Sequence, residues 1–377
     1  MTARTRQILY NLAQEHGSRM NNIYRLGALF LCFSWTTICI NAQQQPPATP
    51  AIAASPGGND HRILLDIVVT DKSGKPVAGL QQQDFTILDN KTPANILAIH
   101  PHIPPPAPQV DASTEIILII DEVNETYDKV IYARQGVKNF LRQNNGELNH
   151  PVALAFFTES GLNVQTRPSV DGNAIADAID KQTQAWRMHG EGTGFYGAED
   201  RLKMSKDALD SLIAQERSQP GRKMVIWISA GWPLFNETVE NLSANQQQHV
   251  FDSAVALSTA LRQARITFYS VDPLGADTGA RTVYYQNFTK PLYSPAQAEM
   301  ADLGLQVLVT QTGGRAIFGN DTILSSINHC VADLNAFYTL FLDAASADHP
   351  NQFHELTVKL APPGLKARTR NGYYAQP

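Results

Sequence analysis

The sequence predicts an α/β fold, a doubly wound and mostly parallel sheet inserted in a small discontinuous all-β domain. Three observations predict it. A continuous apolar run, Ile116 to Ile120, ends in Asp121, as expected of a strand buried on both faces. From there to Asn335, strand-like and helix-like segments alternate, which calls for right-handed crossovers and a parallel sheet. On either side the pattern is short strands and turns only, and neither flank holds enough strands to be stable alone. The flanks, residues 60–104 and 336–374, are therefore expected to pair with each other around residues 114–335.

Residues 1–42 read as a signal segment. Arg19 and Arg25 precede or open a stretch, Leu26 to Ile40, that is almost entirely apolar or small, and Asn41-Ala42 places a small residue at the cleavage point. The other reading is a retained anchor, for which the run is short against the roughly 20 residues of a membrane span. Met20 is an alternative start. The expected location is outside the cytoplasm: periplasmic, envelope-associated or secreted. Of the 3 cysteines, Cys32 and Cys39 fall in this segment, so a processed chain keeps only Cys330 and has no internal disulfide. Cys330 sits in a helical pattern and is expected to be a buried small apolar residue. The formal net charge of -5, with no basic run, speaks against a nucleic-acid partner and against an anionic membrane surface. No membrane contact is expected beyond the signal or anchor.

Residues 43–59, rich in Gln, Pro, Ala and Gly, read as a disordered linker. Ile63–Val69, Phe85–Leu88 and Ile96–His100 are strand-like, with turns at Asp71–Pro76 and Asp89–Lys91, and Pro101–Pro108 closes the piece as a semi-rigid linker. Helical spacing over Asp128–Arg142 places Val130, Ile131, Val137 and Leu141 on one face. Further helices are expected at Ala174–Gln184, Leu202–Arg217, Val250–Ala264, Met300–Gln311 and Thr322–Leu334, the fourth stopped by Gly313-Gly314. Strands are expected at Val152–Phe157, Met224–Ile228, Ile266–Val271 and Ile317-Phe318, and after Asn335 at Phe337–Asp343, Phe353–Leu360 and Leu365–Arg370. Gly190 to Gly197, G-E-G-T-G-F-Y-G, reads as a glycine-rich loop.

Several segments, in order, resemble one family. They are V-V-T-D-K-S-G-K-P-V-A-G-L-Q-Q-Q-D-F, I-I-L-I-I-D-E-V-N-E-T and Y-A-R-Q-G-V-K-N-F-L, then Y-S-V-D-P and T-G-G-R-A-I-F, and finally F-H-E-L-T-V-K-L with R-N-G-Y-Y-A. From about Ile63 onward the chain resembles the von Willebrand factor type A-related proteins first grouped in acidobacteria. The resemblance implies a von Willebrand factor type A-like sheet and an exported, adhesion-type protein.

It also implies a place for a site. In that fold a divalent cation sits at the carboxyl ends of the strands, where open α/β sheets bind ligands. The family pattern is D-x-S-x-S after the first strand, a Thr from a later loop and an Asp after a later strand. Such oxygens suit Mg²⁺, which takes six hard oxygen ligands. Here Asp121 matches the first Asp and Thr193 the Thr; Val123 and Glu125 replace the two Ser, and Ala230 stands where the later Asp belongs. The degenerate site is expected to comprise Asp121, Asn124, Glu125, Thr126 and Thr193. Its metal-ligand candidates are Asp121, Glu125 and Thr193, with Mg²⁺ bound weakly or not at all and no other cofactor. The function expected is a non-catalytic protein-binding module with a partner in the cell envelope or outside. The alternative is a metal-dependent hydrolase using Asp121, Glu125 and a loop histidine such as His189. No H-E-x-x-H or G-x-S-x-G is present. Gly192–Gly197 fits G-x-G-x-x-G by letter but does not follow a strand. His100 and His102 lack the Cys or Glu partners of a zinc site. Trp186, Phe195, Tyr196 and Trp232 fall in loops near strand ends; some of them are expected in the core, and as exposed aromatics they would suit a protein interface.

Overall fold

The computed structural model of the 377-residue chain describes residues 62–104, 109–165, 167–182, 194–233, 242–273, 285–318 and 321–377. The signal segment, the 43–59 linker, His189 and Thr193 lie outside them. The N-terminal strands are β1 (Arg62–Thr70), β2 (Phe85–Asp89), β3 (Thr92–Pro93) and β4 (Ile96–His102). Then follow β5 (Thr114–Asp121), α1 (Tyr127–Leu141), β6 (Glu147–Thr158), β7 (Gly161–Val164), β8 (Ser169–Asp171), α2 (Gly172–Lys181), α3 (Gly194–Glu216), β9 (Arg222–Ile228), α4 (Ala244–Gln263) and β10 (Ile266–Val271). The chain continues through α5 (Leu305–Gln311), β11 (Ala316–Ile317) and α6 (Ile323–Val331). It ends in β12 (Phe337–Asp343), β13 (Gln352–Leu360), β14 (Lys366–Arg368) and β15 (Gly372–Ala375).

The central sheet runs β11-β10-β9-β5-β6-β7, with β8 also on β6. β5, β6, β9, β10 and β11 are parallel; β7 and β8 run antiparallel to β6. Alternate side chains of each strand enter opposite cores. Ile117, Ile119, Val225 and Trp227 pack with Leu209 and Leu212 of α3, Val255 and Leu261 of α4 and Leu308 of α5. Ile116, Leu118, Met224 and Ile226 pack with Val130 and Val137 of α1, Ile175 of α2 and Ile327 of α6. With water excluded from both faces, each such side chain contributes roughly 1.5–3 kcal/mol, which is why these strands read as unbroken apolar runs. Gly136 lies inside α1 because a Cβ there would stand 2.3 Å from Ile323 Cβ; the glycine lets α6 cross closely.

Two four-stranded antiparallel sheets, β14-β1-β12-β4 and β15-β13-β2-β3, flank this α/β region. β1 pairs with β12, and β2 with β13, so segments from the two ends of the sequence share each sheet. Between them lies a third core that includes Leu65, Ile67, Ile87, Tyr338, Leu340 and Leu356. The sandwich meets the α/β region through Phe353 and Tyr374, whose rings sit in the core of α4, with Tyr374 edge-on to Phe251 at 6.1 Å.

Several elements depart from the sequence reading. α3 begins at Gly194, so the second half of the glycine-rich loop belongs to its first turn. A helical glycine costs about 1 kcal/mol, less than the burial of Leu202, Leu209 and Leu212 downstream stabilises. The single helix expected over Met300–Gln311 is a 3₁₀ turn, Met300–Leu303, and then α5, because Gly304 between them is extended (φ -67, ψ 146). β4 runs on into Pro101, which an edge strand tolerates. β7, β8 and β15 were not anticipated.

Candidate functional site

Asp121 ends β5 at the carboxyl edge of the sheet and is 1% exposed. Its parity matches Ile117 and Ile119, and the β5–β9 register sets Trp227 opposite Ile119, beside it. The backbone N–H groups of Val123 (3.0 Å) and Asn124 (2.9 Å) donate to Oδ1. The Asn124 amide and the Trp227 indole Nε1 each donate to Oδ2 at 2.9 Å. Asn124 Nδ2 also donates to Ser205 Oγ of α3, at 3.0 Å, and Ser205 donates to Arg201 O. Burial raises the Asp121 carboxyl above its usual range, against the four N–H donors, which favour the anion.

Glu125 lies one turn on, its side chain 2% exposed. The backbone N–H of Ala230, just past the end of β9, donates to its Oε1, and Lys129 Nζ lies 3.7 Å from Oε2. Burial, with the nearby Asp121 adding to it, pushes Glu125 up to about 7. Ala230 is held from its other side too, by Gln306 Nε2 donating to its carbonyl at 3.1 Å. Gly231 follows with φ +120, a conformation that L side chains rarely adopt, and a Cβ there would meet Gln306. Gly231 N–H donates to Ser229 Oγ.

The structure thus brings Asp121, Asn124 and Glu125 to one edge. Thr126 is at the start of α1 and exposed, and its hydroxyl donates to Asp128 rather than toward Asp121. Thr193 lies outside the described residues. Sequence reasoning missed Trp227 and Ser205. It also missed Glu122, whose carboxylate faces away, onto the buried Arg134 that stacks over Phe156. A Trp inside an otherwise aliphatic buried strand was the available signal for Trp227. Trp232 is one of the loop aromatics that join the core: it is buried, 5.4 Å edge-on to Trp227. His100 and His102 face Phe341 and Phe337, and Cys330 is buried, its thiol pushed up by burial.

Among the described residues the donor set does not suit a divalent cation. A carboxylate offers about four lone-pair positions, and Asp121 has an N–H aimed at all of them. A cation there would have to displace those donors. Among the described residues no group of three His, Cys, Asp or Glu could hold a metal ion. Among the described residues no histidine hydrogen-bonds Ser229, Ser205 or Thr126.

No protein-family model matches the sequence, and no curated protein matches it by sequence. Solved structures give weak likenesses. The pilus adhesin SpaC from Lactobacillus rhamnosus GG is 11% identical (TM-score 0.34), with 78% of this chain and 48% of that one covered. The SpRpn10 VWA domain is 8% identical (TM-score 0.29), with 59% and 96% covered. Human COPII-coat protein Sec24c is 8% identical (TM-score 0.33), with 74% and 46% covered. The chain thus spans about half the length of the SpaC and Sec24c chains. Likenesses this weak carry no argument about function. The mostly parallel sheet, with its antiparallel flanks, stands on its own strand order and register.

Proposed function

We propose that this chain is a non-catalytic protein-binding module, exported by its N-terminal segment, that engages its partner without a bridging metal. One observation carries the metal-free part of the reading: Asp121, the residue a metal site would need first, is saturated by four N–H donors; the protein-binding part rests on the resemblance of the segments from about Ile63 onward. The apolar stretch at Leu26 to Ile40 supports export. The test is affinity capture from the envelope fraction with and without chelator. A partner retained equally in both arms supports the reading; one lost with chelator and restored by Mg²⁺ overturns it. Mass spectrometry of the N-terminus from that fraction checks processing near residue 42.

The hydrolase alternative has one observation in its favour, the Glu125 carboxyl near 7, in the range of a general acid or base. That carboxylate is already committed to the Ala230 N–H and lies next to a lysine rather than a nucleophile.

A further inference from the structure

At the amino end of the sheet, on the face that α3 and α4 cover, two acids and one lysine come together. Glu115 of β5 and Lys223 of β9 are register partners. They stand two positions before Ile117 and Val225, so their side chains leave the sheet on the same face as those core residues. Glu216, the last residue of α3, joins them from the helix layer. Lys223 is 1% exposed and Glu216 3%, although Arg217, Ser218, Gln219 and Pro220, which follow Glu216, are all exposed. The other charged group that acts on the lysine is Arg265, just before β10.

The charges do not balance. Two carboxyls face one ammonium, and the ammonium is bonded elsewhere. Lys223 Nζ donates to the carbonyl of Gln219, in the turn after α3, and to that of Ala264, just past α4, at 3.3 Å. Glu216 Oε1 accepts from Gln215 Nε2 at 3.3 Å, and Oε2 is buried with no hydrogen-bond partner. A buried carboxylate with an unmet oxygen and a second acid beside it is costly to keep charged, and the pair relieves that cost by retaining a proton. The shifts run the same way. Burial and then Glu216 push Glu115 up to about 7, with Lys223 opposing them. Burial raises Glu216 against Lys223, and burial lowers Lys223 against both acids.

The other relief is water, and Glu216 has the open route to it. Glu115 and Lys223 are set in strands paired on both sides. Glu216 leads into the turn 217–221, whose first four residues are exposed and which enters β9 through Gly221 at φ +86. The turn is tied down by the Lys223 bond to Gln219 and by the surface bond of Arg217 to Gln263 of α4.

We propose that Glu115, Glu216 and Lys223 form a proton-operated latch: with a proton on the carboxyl pair the turn 217–221 is shut against the sheet, and without it Glu216 swings out to water and carries the turn along. The proton belongs to the pair rather than to either acid. Because the folded pKa is raised, the latch is fully shut below the unfolded value near 4.5 and loosens as pH rises through about 7. It lies at the opposite end of the sheet from Asp121 and does not rest on the reading of the carboxyl edge.

The test is hydrogen exchange of the full chain at pH 5 and pH 8, followed by mass spectrometry and expressed as protection over the unstructured rate at each pH. Protection of the peptide covering residues 214–222 is expected to fall at least about tenfold from pH 5 to pH 8. In Glu216→Gln the fall is expected to vanish. Glu115→Gln, which leaves Glu216 alone with the lysine, is expected to abolish it too, and it carries the test if Glu216→Gln fails to fold. Glu125→Gln, at the other edge, is expected to leave the fall in place. The proposal is overturned by equal protection at the two pH values, by a fall that survives Glu216→Gln or Glu115→Gln, or by a fall that Glu125→Gln removes.

Discussion

At the carboxyl edge, Asp121 and Glu125 are buried among amide and indole N–H groups with no arginine on either. At the amino edge, Asp66 is half-buried between Arg222 and Arg265 with a Thr339 hydroxyl bonded to it. Burial works to raise all three carboxyls. At Asp121 and Glu125 it prevails, whereas at Asp66 the guanidinium charges and hydroxyl bond outweigh it and hold the group below its usual range. The lesson is that dipoles and full charges settle a buried acid differently. N–H donors fix its position and use up its lone pairs, yet leave it reluctant to ionise. Arginines make it an anion that joins two layers. Asp333 has arginine partners as well: Arg315 at 2.7 Å and Arg368 donate to it, as does the Tyr269 hydroxyl.

The largest expected effect breaks the arginine-paired kind. Asp333→Ala strands two guanidinium groups and a tyrosine, and is expected to cost about 3 kcal/mol, read from urea unfolding. A loss below about 1 kcal/mol would show that the pairing is worth no more than a surface ion pair. Next, Asp121→Asn turns an NH₂ toward donors at one oxygen position or the other. It is expected to cost about 2 kcal/mol although it is isosteric; an unchanged unfolding midpoint would contradict the four-donor geometry.

Glu125 and Asp66 should also respond oppositely to pH. Glu125 has a raised folded pKa, so its contribution is fully present below its unfolded pKa near 4.5 and is lost as pH rises through about 7. Glu125→Gln is therefore expected to gain on the wild type by on the order of 2 kcal/mol between pH 5 and 8, and parallel profiles would sink the assignment. Asp66, with a lowered folded pKa, contributes stability above its unfolded value near 3.8 that is lost as pH falls below it. Asp66→Asn should flatten that acid limb and leave the Glu125 limb intact. The smallest effect is the sharpest for the proposed function. Millimolar Mg²⁺ or chelator is expected to leave the thermal midpoint within about 1 °C, since a ligand that does not bind adds no stability. A shift of several degrees that Asp121→Ala abolishes would restore the metal reading.

How legible was this in the sequence? Strands buried on both faces were plain, because Ile116–Ile120 and Met224–Ile228 have no polar side to dilute the signal. β7, β8 and β15 were not. They have three or four residues each, and it is pairing with β6 or β13, not their own pattern, that makes them strands. At the site, Asp121 was visible as an acid ending an apolar run. Its partner Trp227 is 106 positions away, and no local spacing joins the two. Glu125 and Ala230 were each read as separate departures from a family pattern. The structure shows the acid at one bonded to the backbone N–H of the other, a coupling that backbone atoms leave no trace of in sequence.

The pairing of β1 with β12 has a consequence for how the protein is made. A ribosome adds about 5–20 residues per second, and Arg62 must wait for Asp343 before its ladder can close. For tens of seconds β1 and β2 are open edges carrying Ile63, Leu65, Ile67 and Ile87 with nothing to cover them, a state that invites pairing with other chains. The region from β5 to α6 has every strand of its parallel sheet in hand earlier. Nascent chains stopped before residue 337 should therefore already protect that sheet from protease while the first four strands remain cleavable, and release of the last 40 or so residues should close the sandwich in one step.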